Sequence, residues 1–164
     1  MIETLVSVEE YLRTEYRPDV DYVGGHLEVR NVGEKSHGKL ELKITNLLNG
    51  TPNVFAFLET RLKVSPTNYR VPDVCAYLDG EPDEEVFTAP PILCVEILSP
   101  EDRFGRTMKV VEEYFRMGVE NVWVLDPLQK IAYNCELSGG WQAAAGRIAT
   151  RDGRISFSLE TIFG

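Results

Sequence analysis

The segment PPILCVEILSP, at residues 90–100, constrains the fold of this chain more than any other. Its run of aliphatic side chains lacks polar alternation and predicts a strand that is buried on both faces of a sheet. Glu96 lies in the middle of that run. An unpaired buried carboxylate is costly, so we expect Glu96 to be paired, to bind a metal ion or to have a perturbed pKa.

Length and composition predict one domain over residues 1–164. No apolar run approaches the ~20 residues that cross a membrane, and the acidic N-terminal stretch lacks the basic start of a signal peptide. The three cysteines (Cys75, Cys94 and Cys135) have apolar neighbours and no metal-ligand spacing, which indicates reduced thiols. We therefore expect a cytoplasmic protein with no membrane partner.

The formal net charge of −9 limits the ways in which this protein can bind nucleic acid. Proteins that grip nucleic acid through its phosphates usually present a basic surface, so any such surface here must be local. A cluster of carboxylates that binds a divalent metal ion also lowers the net charge. The charge therefore opposes, but does not exclude, a nucleic-acid substrate.

The predicted elements follow a mixed order, with helices outside a central sheet. Ser7 and Glu10 predict a capping box, and Gly24-Gly25 predicts the turn of a hairpin. Helices are predicted at residues 7–18, 36–50 (capped by Ser36) and 107–118, with a last turn at 159–164. The hairpin is predicted at 19–32, further strands at 53–65, 71–79, 92–98 and 119–126, and a closing antiparallel meander at 130–137, 141–146 and 153–159.

Two acidic side chains lie in apolar strands at the centre of the chain. Asp73 belongs to VPDVCAY, and Glu96 belongs to the next predicted strand. If these strands are neighbours, both carboxylates converge at one edge of the sheet, where a shared proton or a cation must relieve their repulsion. Oxygen ligands suit Mg²⁺ or Mn²⁺, which can activate water and stabilise charge on a phosphate.

Each carboxylate also has a structural interpretation. Asp73 can satisfy backbone N–H groups at the entry of its strand. Glu96 can form a buried ion pair with an arginine. The presence of both acids on strands that flank an acidic loop favours a functional site, although the spacing alone is not specific.

Several segments together resemble the Uma2 family, a group of mostly bacterial proteins in the PD-(D/E)XK nuclease-like superfamily. They are DYVGGHLEV, YRVPDVCAY, PPILCVEILSPEDR and MKVVEEYFRMGVENVWVLDP, and they extend over most of the chain. The resemblance implies an α/β (α+β) fold with a restriction-endonuclease-like core. That core is a mixed sheet flanked by helices, with an N-terminal hairpin and a C-terminal antiparallel meander.

The resemblance also implies a set of site residues. Asp73 matches the PD element, and Glu96 matches the second metal ligand. The superfamily has a lysine two residues later, where this chain has Leu98; in the Uma2 pattern a lysine on the following helix substitutes, and Lys109 matches it. The competing interpretation of Lys109 is an ordinary i,i+4 pair with Glu113.

Further polar and aromatic residues are also candidates. Asp21 matches a family glutamate and is expected to be an extra metal ligand, a supporting group or a solvated strand residue. His37 is expected to cap its helix or to face solvent, and Glu59 to point inward or to pair with Arg61 or Arg70. Trp123 and Tyr114 are interpreted as core residues.

The leading hypothesis is a metal-dependent endonuclease that cleaves nucleic acid, with DNA favoured over RNA. Asp73 and Glu96 hold Mg²⁺ or Mn²⁺, and Lys109 acts on the water or the phosphate. The resemblance also favours a homodimer, with two sites for two strands. One alternative is a nuclease-fold binding or regulatory protein without cleavage, which the acidic charge and Leu98 favour. Another is a carboxylate-pair hydrolase such as a glycosidase, which works in the presence of EDTA.

Overall fold

A computed structural model describes residues 4–31, 33–100 and 104–164. No helix in these ranges combines the length and the apolar character that a membrane span requires. In chain order the elements are α1 (Val8–Arg13), β1 (Val20–Val23), β2 (His26–Val29), α2 (Lys35–Asn49), β3 (Val54–Leu58), β4 (Leu62–Ser65), β5 (Asn68–Arg70), β6 (Val74–Leu78), β7 (Leu93–Ile97), α3 (Phe104–Met117), β8 (Asn121–Asp126), β9 (Ile131–Cys135), β10 (Trp141–Ala143), β11 (Arg147–Ala149), β12 (Ser156–Ser158) and α4 (Leu159–Phe163).

The described strands form three sheets. The central sheet has the strand order β10-β9-β8-β7-β6-β3; β7 and β8 run parallel, and the other neighbours run antiparallel. A second sheet has the order β2-β1-β5-β4, and β11 pairs with β12. Side chains of α2 and α3 pack into the two hydrophobic clusters that cover the central sheet. This mixed architecture confirms the predicted fold class.

Strand β7 is buried on both faces, as predicted. Val95 is 0% exposed and belongs to the cluster that contains Leu40 of α2. Cys94 is also 0% exposed, and it belongs to the cluster that contains Val110 of α3. Because side chains alternate along a strand, Glu96 projects to the same face as Cys94, beneath α3.

Several predicted elements and boundaries are wrong. The strand predicted at residues 53–65 is two strands, β3 and β4, in different sheets. The chain turns between them at Glu59, whose φ is +42°. Strands β5 and β11 were not predicted because three residues are too short to show a period. Helix α2 has Glu34, rather than Ser36, at its N-cap. The meander is divided, since β9 and β10 extend the central sheet and β11 and β12 pair separately.

A buried arginine connects the second sheet to α3. Arg70 of β5 is 1% exposed, and its Nη1 donates to Asp21 (3.0 Å) and to Glu28 (2.7 Å). Its Nε donates to Glu113 of α3. Arg106, also on α3, donates to the same Asp21 oxygen at 2.7 Å. This network fixes α3 against strand β1.

Replacing Arg70 by alanine should therefore destabilise the protein strongly. The change leaves three partly or fully buried carboxylates without their common partner, which should cost about 3–5 kcal/mol in the free energy of unfolding. Urea denaturation measures this loss. The matched control is Arg154→Ala, which breaks an exposed pair with Asp79 and should cost far less, because solvent screens exposed ion pairs. Equal losses in both variants would contradict a structural role for the network.

Candidate active site

Asp73 and Glu96 line one cavity at the end of strands β6 and β7. The strands pair antiparallel with Val74 opposite Val95, so the two acids occupy the next opposing positions. The cavity has a volume of about 20 Å³, which is room for about one water molecule or a bare ion. Its other side-chain lining includes Arg30, Asn31, His37, Leu98, Ser99, Arg106 and Thr107.

Asp73 makes contacts with three separate parts of the chain. Its Oδ1 accepts a hydrogen bond from Arg30 Nη2 at 2.6 Å. Its Oδ2 accepts from the backbone N–H of Ile97 at 2.7 Å and lies 3.4 Å from His37 Nε2. The structural interpretation of Asp73 is wrong in its partner, because the backbone N–H that the carboxylate binds belongs to β7 and not to the entry of its own strand. The same carboxylate also lines the cavity and faces the Arg30 guanidinium and the His37 imidazole.

Arg30 is the nearest cation to the predicted acids. It follows β2 directly, its side chain is only 12% exposed, and its Nη1 donates to Glu59 at 3.2 Å. Burial alone would lower the pKa of Arg30, but the charges of Asp73, Glu96, Asp21 and Glu59 raise it above its ordinary value. Arg30 therefore stays charged. Glu59 pairs with this residue, not with either arginine that the sequence suggested.

Glu96 is half-buried and hydrogen-bonded to a tyrosine. Its Oε1 accepts from the hydroxyl of Tyr114 at 2.5 Å, and in the described part of the chain no arginine lies within ion-pair distance. Burial and the charge of Asp73 raise the pKa of Glu96 to about 8, against the lowering effects of Tyr114 and Arg30. Glu96 is thus an acid with a perturbed pKa that lines the cavity.

A further carboxylate, Glu41 of α2, approaches Asp73 from the helix. Three carboxylate oxygens, one each from Glu41, Glu59 and Asp73, lie within 4.8 Å of one another. Among the described residues this is the one group of three potential metal ligands that lie that close together. Glu41 Oε1 is buried and has no hydrogen-bond partner among the described residues. Burial, with Asp73 and Glu59, raises the pKa of Glu41 to about 7. Oxygen ligands in this arrangement fit a hard divalent cation. Glu96 is outside this trio. Asp73 therefore belongs both to the trio and to the pair of acids, Asp73 and Glu96, that lines the cavity.

His37 faces the site, so the expectation that it caps α2 or faces solvent is wrong. Its side chain is mostly buried and lies against Asp73. Gly33 permits this position, because a Cβ at Gly33 would lie only 2.7 Å from His37 Nδ1. Burial lowers the pKa of His37, but the hydrogen bond and charge of Asp73 outweigh it and raise that pKa above its ordinary value. His37 thus adds positive charge to the cavity when it is protonated.

The structure does not bring Lys109 or Asp21 into the cavity with the other predicted residues. Lys109 is exposed on α3 and lines a separate cavity of about 490 Å³. Both oxygens of Asp21 are engaged, Oδ2 by Arg70 and Arg106 and Oδ1 by the N–H of Val71 at 2.9 Å. Asp21 therefore reaches the cavity through Arg106, which lines it.

Two remaining candidates occupy core positions, and Asp126 at the end of β8 has local partners. Trp123 is completely buried in the hydrophobic core. Tyr114 is equally buried, but its hydroxyl binds Glu96 and so contributes to the site. Asp126 Oδ1 accepts from the N–H groups of Leu128 and Gln129, which makes it a turn residue.

Comparisons with known proteins agree with this architecture. A solved structure from Anabaena variabilis ATCC 29413, described as "a putative nuclease belonging to DUF820", superposes with a TM-score of 0.84. The two sequences are 18% identical, and the superposition covers 96% of this chain and 97% of the other. Curated protein sequences gave no match. The model of the Uma2 family, described as "Putative restriction endonuclease", matches residues 8–151. This chain belongs to the Uma2 family.

Proposed function

We propose that this protein is a metal-dependent endonuclease that hydrolyses phosphodiester bonds in nucleic acid, with DNA as the expected substrate. The main supporting observation is that Asp73 and Glu96, from separate strands, line one cavity together with Arg30 and Arg106. Paired carboxylates beside fixed cations suit the hydrolysis of a phosphodiester. The description of the Uma2 family as restriction endonucleases supports the same class of substrate.

The acids around Asp73 suit Mg²⁺ or Mn²⁺. We assign Asp73 and Glu96 as ligands and add Glu41, whose buried Oε1 lacks a partner among the described residues. A cation bound there would supply a water of lowered pKa and would offset negative charge on the phosphate. Asp21, whose oxygens are occupied, becomes a positioning residue for Arg106 in this proposal.

The remaining side chains of the cavity would orient the substrate and move a proton. Arg106 and His37 provide positive charge for the phosphate oxygens. Tyr114 holds Oε1 of Glu96, which leaves Oε2 to bind the cation or to take a proton from the attacking water. Because Lys109 lines a different cavity, we assign the cationic role to the arginines. A catalytic role for Lys109 stays a prediction from the family pattern.

We also propose a homodimer in the cytoplasm. Cleavage of both strands of a duplex requires two active sites. Because each chain has one Asp73–Glu96 pair, a homodimer provides the two sites. The three free cysteines suit a reducing compartment. Light scattering tests the assembly: the dimer has twice the 18.5 kDa mass of one chain.

A binding protein without cleavage is the second candidate function. The 2.6 Å bond between Arg30 and Asp73 favours it, because the central acid already has a cation as its partner. Leu98, at the position where the superfamily has lysine, favours it as well. This candidate keeps nucleic-acid binding and lacks metal-dependent hydrolysis.

Mn²⁺ should raise the melting temperature of the wild-type protein. At a concentration one hundred times the Kd, binding to the folded state adds about 2.7 kcal/mol to the free energy of unfolding. Asp73→Asn and Glu96→Gln should abolish most of this gain, and Glu41→Gln should reduce it. The control Glu81→Gln, in the exposed acidic loop, should retain it. An equal gain in all variants would place the bound metal elsewhere.

Cleavage should depend on the same acids. With Mn²⁺ or Mg²⁺, the wild-type protein should nick or cut supercoiled, linear or branched DNA, and Glu96→Ala should lower the rate by about 100-fold or more. Excess EDTA should stop the reaction, which separates this mechanism from that of a glycosidase. Retained binding with no metal-dependent cutting of any of the three DNAs would favour the second candidate.

Mn²⁺ affinity should rise with pH between about 6 and 9, since protons compete with metal ions for carboxylates. The pKa values of Glu41 and Glu96, about 7 and about 8, are raised, so both groups are largely protonated below these values and free above them. Isothermal titration calorimetry at several pH values measures the effect. In Glu96→Gln the rise near pH 8 should disappear and the rise near pH 7 should remain. A pH-independent affinity in the wild-type protein would contradict these assignments.

A further inference from the structure

We infer that Arg30 controls metal loading: its guanidinium neutralises Asp73 in the free protein and must move to a phosphate of the nucleic acid before Asp73 binds the cation tightly. This inference rests on the proposed function and adds a regulatory step to it. It makes binding of the metal ion and binding of the substrate mutually reinforcing.

The contacts of Arg30 place it on the acids that would hold the metal. One of its terminal nitrogens lies 2.6 Å from Asp73 and the other lies 3.2 Å from Glu59. Both acids belong to the trio of oxygens completed by Glu41. A single buried guanidinium thus spans two of the three carboxylates.

A cation that approaches Asp73 would find both carboxylate oxygens already hydrogen-bonded and the positive charge of Arg30 beside them. Asp73 Oδ1 accepts from Arg30, and Oδ2 accepts from the N–H of Ile97. A divalent ion on this carboxylate would lie close to the guanidinium, and like charges at short range in a poorly solvated site repel strongly. The cavity, at about 20 Å³, has room for about one bare ion, and Arg30 is part of its lining, so a cation bound there would lie near the guanidinium. Metal binding is therefore weak until Arg30 moves.

A phosphate offers Arg30 an alternative partner. The guanidinium already lines the cavity, and its planar donors match two oxygens of a phosphate as well as they match a carboxylate. Arg106 is a weaker candidate for this exchange, because its partner is Asp21, outside the acidic trio. When Arg30 moves to a phosphate, Asp73 is released for the metal ion. By linkage, the metal ion then also tightens binding of the phosphate.

The test is a Mn²⁺ titration of the full chain, followed by electron paramagnetic resonance of the free ion. Wild-type protein and Arg30→Met are compared in chloride and in sulfate at equal ionic strength, with sulfate as the tetrahedral anion. We expect sulfate to tighten Mn²⁺ binding to the wild-type protein by about tenfold. We expect Arg30→Met to bind Mn²⁺ about tenfold more tightly than wild type in chloride, with no further effect of sulfate.

The matched control is Arg154→Met, which removes an arginine from the exposed pair with Asp79 and changes the net charge equally. Its Mn²⁺ affinity should stay within about twofold of wild type. If Arg30→Met binds Mn²⁺ no more tightly than wild type, the inference is overturned while the metal site stands. If neither protein binds Mn²⁺ under any condition, the proposed function fails as well. The comparison of chloride with sulfate in the wild-type protein does not depend on how the variant folds. If the Mn²⁺ affinity of the wild-type protein does not respond to sulfate, that result alone overturns the inference.

Discussion

The carboxylate of Asp73 fixes the geometry of the whole site. It accepts from the N–H of Ile97 at the end of β7, from Arg30 beyond β2, and it faces His37 of α2. Three elements distant in sequence are thus held around one negative charge. Burial and, after it, this charge raise the pKa values of Glu96 and Glu41, so Asp73 affects the protonation of its neighbours as well as their positions.

A second group of charges, centred on Arg70, stabilises this arrangement through contacts outside the cavity. Arg70 binds Asp21, Glu28 and Glu113 in the interior, and Asp21 in turn orients Arg106 toward the cavity. The chain thus has a net charge of −9 and still presents positive side chains where a phosphate would bind. Buried and partly buried carboxylates thus hold arginines in fixed positions, and two arginines line the cavity beside its two acids.

The sequence predicted the parts of the site that depend on strand patterns. The uninterrupted apolar run indicated a strand buried on both faces, and an acid inside such a run had to have a special environment, as Glu96 does. The pairing of β6 with β7 then brings Asp73 opposite Glu96. Family resemblance added the fold, and the structural comparison agrees with it.

The missed residues depend on contacts that no local pattern encodes. Arg30 contacts Asp73 across 43 positions of sequence, a separation at which no periodic pattern reports a contact. Glu41 lies among lysines on α2 and resembles an ordinary surface acid. Its position four residues after His37 nevertheless indicates that the two side chains share one face of the helix. Lys109 is the converse case: the family pattern predicts a catalytic role, and the helix places this residue at a separate cavity, so that role stays a prediction.

Anomalous diffraction from crystals soaked in Mn²⁺ and a short DNA duplex tests the central claim most directly. The account predicts a manganese peak within coordination distance of Asp73 and Glu96, with Arg30 displaced from Asp73 toward a phosphate. A peak confined to the acidic loop at residues 79–85, with Arg30 still bound to Asp73, would contradict it.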